Sequence, residues 1–85
     1  MLFLTFAEIE SKREKEAYLA VAEKIPQLEG VKGVYLTFGA RDVVVFHEGL
    51  DLRSGVQMAV KLRNIPGITN TETIICMDIK QVFAP

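Results

Sequence analysis

An α+β domain of order β-α-β-β-α-β is what this sequence predicts, and three observations predict it. Two stretches, Lys12 to Ile25 and Leu52 to Asn64, carry apolar residues at helical spacing. Four stretches rich in β-branched and aromatic residues surround them: Leu2 to Ile9, two strands within Gly30 to Glu48, and Thr69 to Asp78. The halves also echo each other: Ala22, Ile25, Leu28, Gly30 and Val31 match Ala59, Leu62, Ile65, Gly67 and Ile68 at a constant offset of 37. Each half ends a helix, turns through a glycine and enters a strand. That pattern suits the ferredoxin-like split βαβ arrangement, an antiparallel four-stranded sheet with both helices on one face.

The elements follow in order. Leu2, Leu4 and Phe6 fall on one side of the first strand and Phe3, Thr5 and Ala7 on the other, so it reads as a central strand covered on both faces. Ser11 is a candidate N-cap, with Glu14 completing a capping box. In the first helix Tyr18, Val21, Ala22 and Ile25 share a face, and Pro26 ends it. The charge run Lys12, Arg13, Glu14, Lys15 and Glu16 reads as a solvated first turn. The next two strands join at Gly39-Ala40-Arg41-Asp42, where Gly39 suits positive φ and Asp42 can bond local backbone. Pairing Phe38 with Val43 puts Val34, Leu36, Phe38, Val43 and Val45 on one face and Tyr35, Thr37, Val44 and Phe46 on the other. Asp51 is the expected N-cap of the second helix, whose predicted inward face is Leu52, Val56, Ala59 and Val60, with Met58 and Leu62 on the flank. Ile65-Pro66-Gly67-Ile68 stops it. In the last strand Thr69, Thr71, Thr73, Ile75 and Met77 face one way. Residues 80–85 read as a tail that adds a short strand or touches a neighbour, leaving 1–79 as the domain proper.

Composition narrows the function. With 85 residues the chain is one small domain with a modest core. Its helices cover one sheet face and leave the other apolar, so a second copy is the expected lid. The net charge of −1, with acidic and basic residues mixed, lacks the basic cluster of a nucleic-acid surface. The apolar start soon meets Glu8 and Glu10 and is a strand, with no signal or membrane span, so cytoplasmic location and no membrane partner are expected. Cys76, the one cysteine, reads as a buried strand thiol. The one histidine, His47, has no nucleophile or carboxylate spaced to work with it and reads as a capped or partly exposed strand-end residue. Cys76 and His47 make no metal pattern, and no phosphate-cradling glycine motif is present, so no cofactor and no metal are expected.

The joint order of Gly30-Val31, Gly39-x-x-Asp42, Asp51-Leu52, Ile65-Pro66-Gly67-Ile68 and Thr69-x-Thr71-Glu72-Thr73-Ile74-Ile75 resembles the ligand-binding, oligomerising (RAM) domain of the Lrp/AsnC, or feast/famine, regulators. The resemblance spans nearly the whole chain. It implies a dimer paired through its sheets as a dimeric α/β barrel, further assembly into a ring, and a small amino-acid-like effector bound between dimers. It places the ligand-binding residues at Gly39, Ala40, Arg41, Asp42 and Thr71. Full-length members carry a DNA-binding helix-turn-helix ahead of this domain. The present sequence opens on the first strand, so the resemblance implies a stand-alone module without direct DNA binding that partners itself and a full-length regulator. Two positions depart from the pattern: Phe38 stands where a hydroxyl residue is common, and Arg41 where an aromatic is common. Arg41 could clamp a carboxylate or form an inter-subunit salt bridge with Asp or Glu, and Asp42 could simply shape the turn. The competing class is a cofactor-free enzyme of the dimeric α/β-barrel type, a monooxygenase or isomerase, which requires a polar group inside a cleft between helices and sheet.

Overall fold

The computed structural model describes residues 1–10 and 14–83. The elements run β1 (Leu2–Ile9), α1 (Glu14–Lys24), a 3-10 turn (Ile25–Gln27), β2 (Val31–Leu36), β3 (Val43–Glu48), α2 (Leu52–Arg63), β4 (Ile68–Cys76) and α3 (Ile79–Phe83). The sheet is antiparallel in the order β2-β3-β1-β4, so the first and third strands are central, as the ferredoxin-like reading requires. The capping box expected from Ser11 and Glu14 lies outside the described residues. The segment expected as an added strand is instead helical, as α3. No helix among the described residues is long and apolar enough to cross a membrane.

Both helices pack on one sheet face. Ala7, Ile9, Val43 and Val45 meet Ala17, Val21 and Ile25 from the first helical segment and Met58 and Leu62 from α2 in a single core. The internal echo is a repeat in geometry. Leu28 N–H donates to Ile25 O and Val31 N–H to Leu28 O; Ile65 N–H donates to Leu62 O and Ile68 N–H to Ile65 O. Gly30 and Gly67 both have positive φ, at 92° and 97°. A Cβ at Gly30 would sit 2.6 Å from Glu48 O, and one at Gly67 2.5 Å from the Ala17 Cβ. These two turns therefore need glycine for conformation and for space. Gly39, expected to need positive φ, does not have it.

Three expectations are corrected. The β2–β3 register is slipped by two residues: Val34 pairs with Val45, Tyr35 with Val44 and Leu36 with Val43. The cause lies in β1. Asp42 N–H donates to Ala7 O and the Asp42 carboxylate accepts from Ile9 N–H, so Asp42 joins the sheet and closes the loop against Thr37. A slip of two keeps each side chain on its face, but it expels Phe38, which is 99% exposed. Along α1 and the 3-10 turn the buried line is Ala17, Val21 and Ile25, with Ala22 exposed. In α2 the rotation is larger. Gly55, Met58 and Leu62 face the core, whereas Leu52, Val56 and Val60, the predicted inward stripe, are about half exposed. Counting apolar side chains cannot see why. Gly55 lets the helix sit directly on the Phe3 ring, since a Cβ there would lie 2.0 Å from its Cζ. The cap of α2 is as expected: the Asp51 carboxylate accepts from Ser54 N–H (2.8 Å), while the Ser54 hydroxyl returns to the Asp51 backbone. The Ser54 N–H first, and its hydroxyl second, hold the Asp51 carboxyl below the usual carboxylate range.

The opposite sheet face carries Leu4 and Phe6 from β1, Val44 and Phe46 from β3, Tyr35 from β2 and Ile74 from β4. Tyr35 and Phe46 meet edge to face at 5.6 Å. Among the described residues no helix lies over this face: α1 and α2 share the core on the other side, and α3 is exposed throughout.

Candidate functional site

The β2–β3 loop is built by the pinning of Asp42. Thr37 N–H donates to Asp42 O (2.9 Å) and the Thr37 hydroxyl to Arg41 O (2.6 Å), which leaves Phe38, Gly39 and Ala40 projecting as an exposed tip. The Asp42 carboxylate is both a turn former and a clasp across strands, through its 2.8 Å bond from Ile9 N–H. Replacing Asp42 with Ala orphans that amide and costs about 1–2 kcal/mol in urea unfolding, while Asp42→Asn, which keeps an acceptor, loses less.

Arg41 turns to the open sheet face. Its guanidinium bridges Glu8 on β1 (2.5 Å) and Glu72 on β4 (3.4 Å). The arginine is thus already engaged by two carboxylates of its own chain, and an incoming ligand carboxylate has to compete with them. Gly39 and Asp42 instead edge a shallow hollow with Tyr18, Leu36, Thr37 and Phe38. Through Tyr18 and Leu36 that hollow continues into a larger apolar cleft between α1 and the edge strand β2, floored by Val34 and Val43 and walled by Leu19 and Ala22.

Thr71 lies elsewhere. It pairs with Ala7 on the helix-covered face, whereas Glu72, which meets Arg41, points to the open face. The Thr71 hydroxyl is 3.4 Å from Arg63 Nε on α2. One chain therefore groups Gly39, Ala40, Arg41 and Asp42 at the loop and sets Thr71 across β1 from them.

The residues that sequence reasoning missed are interior. His47 is fully buried, not partly exposed. Its Nε2 lies 2.7 Å from the Thr5 hydroxyl, which lies 2.8 Å from the Thr73 hydroxyl. The imidazole stacks on Phe3 with centroids 5.4 Å apart, and its Nδ1 has no hydrogen-bond partner among the described residues. Burial pushes its pKa down, which favours the neutral ring. The signal was legible in the strand period: His47 follows Val43 and Val45 on the inward side. This hydroxyl–imidazole chain sits in packed core with no carboxylate in it. Among the described residues no group of three or more His, Cys, Asp or Glu side chains could hold a metal ion.

The fold is a small ferredoxin-like domain with one open apolar sheet face and a loop at the sheet's end. The family model for the Lrp/AsnC ligand binding domain matches residues 4–82, and the chain belongs to that family. Among solved structures it is similar to FFRP-DM1 at 27% identity, covering 89% of this chain and 97% of that one, with a TM-score of 0.75. The hypothetical protein PHS023 of Pyrococcus horikoshii is 25% identical, covering 94% and 95%, with a TM-score of 0.72. The transcriptional regulator NMB0573 of Neisseria meningitidis, solved as an L-Met complex, shares the fold at a TM-score of 0.80 and 15% identity. The match covers 93% of this chain but 51% of that regulator, so the present chain spans about half its length. No curated protein sequence matches the chain.

Proposed function

We propose that this chain is a non-catalytic effector-binding and oligomerisation module. Two copies pair through their open sheet faces as a dimeric α/β barrel, and the dimers assemble further into a ring. The loop Gly39–Asp42 holds a small amino-acid-like effector where copies meet, and Thr71 reaches that site from a neighbouring copy. A full-length Lrp/AsnC regulator is the natural protein partner, because its ligand-binding domain would present the same kind of open face. The observation that carries this reading is the uncovered face with Leu4, Phe6, Phe46 and Ile74 in a member of this family. A row of apolar side chains left in water at the centre of a small domain favours burial against a like surface. The L-Met complex of the Neisseria regulator supports an amino acid as the class of ligand. The buried His47 chain, which runs through two threonine hydroxyls and contains no carboxylate, favours binding over catalysis. Arg41, engaged by Glu8 and Glu72, favours effectors recognised through loop backbone and shape over those held by a carboxylate clamp.

The test has two arms. Light scattering at micromolar protein gives a dimer or larger, and Leu4→Arg, which puts a charge into the paired faces, gives a monomer with an unchanged circular dichroism spectrum. A thermal-shift screen of the common amino acids finds at least one that raises Tm; at a ligand concentration of about 100 Kd the added stability is about 2.7 kcal/mol. A monomeric parent protein, or a flat screen at millimolar ligand, removes the corresponding half of the reading.

A further inference from the structure

The rotation of α2 leaves a groove that the fold does not fill. Leu52, Val56 and Val60 run along its outward side at i, i+4 and i+8, and Ile75 of the edge strand β4 forms the facing wall. All four are about half exposed. The eight residue steps from Leu52 to Val60 rise about 12 Å, and among the described residues β4 beside them has no strand on its outer edge.

The same chain carries a segment of matching character. From Met77 to Phe83 every residue is exposed, and Ile79, Val82 and Phe83 lie at i, i+3 and i+4 on α3. These three side chains form one apolar side of a short helix. The helix is started by Asp78, whose carboxylate accepts from Lys80 N–H (2.8 Å) and whose carbonyl accepts from Gln81 N–H (3.0 Å). Cys76, the last paired residue of β4, is opposite Leu2, so the segment leaves the sheet at its end as an arm. A nine-residue strand spans about 30 Å, whereas the molecule is 50 Å long. The arm leaves the sheet at the end opposite the Phe38–Arg41 loop, and its side chains stay exposed, so it does not cover its own groove.

We propose that the arm Met77–Phe83 docks into the α2/β4 groove of a second copy of this chain, with Ile79, Val82 and Phe83 against Leu52, Val56 and Ile75. The occupant is argued from the chain itself. The arm is apolar on one side and exposed throughout, its helix is capped by Asp78, and the chain's own groove is half exposed. The arm and the groove are different surfaces, so each copy can give one arm and receive another. The contact lies on the helix side of the sheet and is separate from sheet-to-sheet pairing, so it supplies a second interface able to join sheet-paired dimers.

The test is disulfide trapping between two populations in a Cys76→Ser background. One population carries Val56→Cys and a fusion tag, and the other carries Val82→Cys without a tag. Mixed under mild oxidation, they give a tagged–untagged pair on a non-reducing gel, several-fold above the yield when Lys32→Cys on the far edge strand replaces Val56→Cys. Adding Phe83→Ser to the arm lowers the yield toward that control. A mixed band no stronger than the Lys32→Cys control, or one insensitive to Phe83→Ser, overturns the proposal. Lys32, Val56, Val82 and Phe83 are exposed and Cys76 is half-buried, and circular dichroism checks that each variant keeps the fold. The effector reading fails separately: a flat thermal-shift screen leaves the trapped pair intact, and loss of the trapped pair leaves ligand-dependent Tm shifts in place.

Discussion

Acidification from about pH 7.5 to about pH 5 lowers the melting temperature of this domain, and His47→Phe removes most of that dependence. The sign follows from burial. His47 is fully buried, and desolvation pushes its folded-state pKa below the ordinary 6.5. Above about pH 6.5 the ring is neutral in both folded and unfolded chains, and stability does not respond to its titration. Below that, the unfolded chain takes up a proton that the folded chain refuses. Stability then falls with pH, by at most about 1.4 kcal/mol per pH unit for one proton, until the folded-state value is reached. His47 is the one histidine in the sequence, so this window is not shared with another imidazole. The Asp51 cap acts further into acid: its depressed carboxyl contributes stability that is present above the unfolded value and lost as pH falls through the folded one. Phenylalanine at 47 retains the stack on Phe3, and the Thr5 hydroxyl retains Thr73. Thermal melts of the parent and His47→Phe across the range give diverging slopes. Parallel slopes would contradict the assignment.

Gly55→Ala destabilises the domain although alanine is the better helix former. Propensity alone predicts a gain of about 1 kcal/mol in the middle of α2. Against it stands the Phe3 ring, whose Cζ, Cε2 and Cε1 would lie 2.0, 2.2 and 2.4 Å from the new Cβ. Phe3 is buried and stacked on His47, so it has no free side to yield toward. Overpacking of this kind costs about 1–3 kcal/mol, and lifting α2 off the sheet also loosens Met58 and Leu62 from the core. The expected net loss is about 2 kcal/mol, read as a lower urea midpoint. Phe3→Leu on its own also destabilises, by opening space. Combined with Gly55→Ala it costs less than the sum of the two, because the smaller side chain makes room for the methyl group. Additive losses in the double-mutant cycle would show that the helix is not seated on that ring.

Much of the architecture was legible before any coordinates. The four strands, the two helices, the Asp51 cap and the stops at Pro26 and Gly67 follow from local chemistry, which acts over a few residues. The repeat at offset 37 was also readable, because both helix-to-strand turns solve the same backbone problem through Gly30 and Gly67. The candidate loop was found from Gly39 and Asp42, but the bonds that define Asp42 come from Ala7 and Ile9, more than thirty residues away. Thr71 was assigned by resemblance to a site between dimers, and within one chain the sheet sets it across β1 from the loop, on the helix-covered face.

The sequence by itself determined the order of elements, the two glycine turns and which side of each strand is apolar, since these depend on spacing along the chain. Tertiary contact alone decided the hairpin register, the engagement of Arg41 and the rotation of α2. Asp42 is set by its bonds to Ala7 and Ile9 of β1, and Arg41 gained partners only when Glu8 and Glu72 were laid side by side. The α2 rotation turned on a residue without a side chain: Gly55 admits Phe3 and so carries Val56 and Val60 outward, an outcome that no count of apolar residues contains.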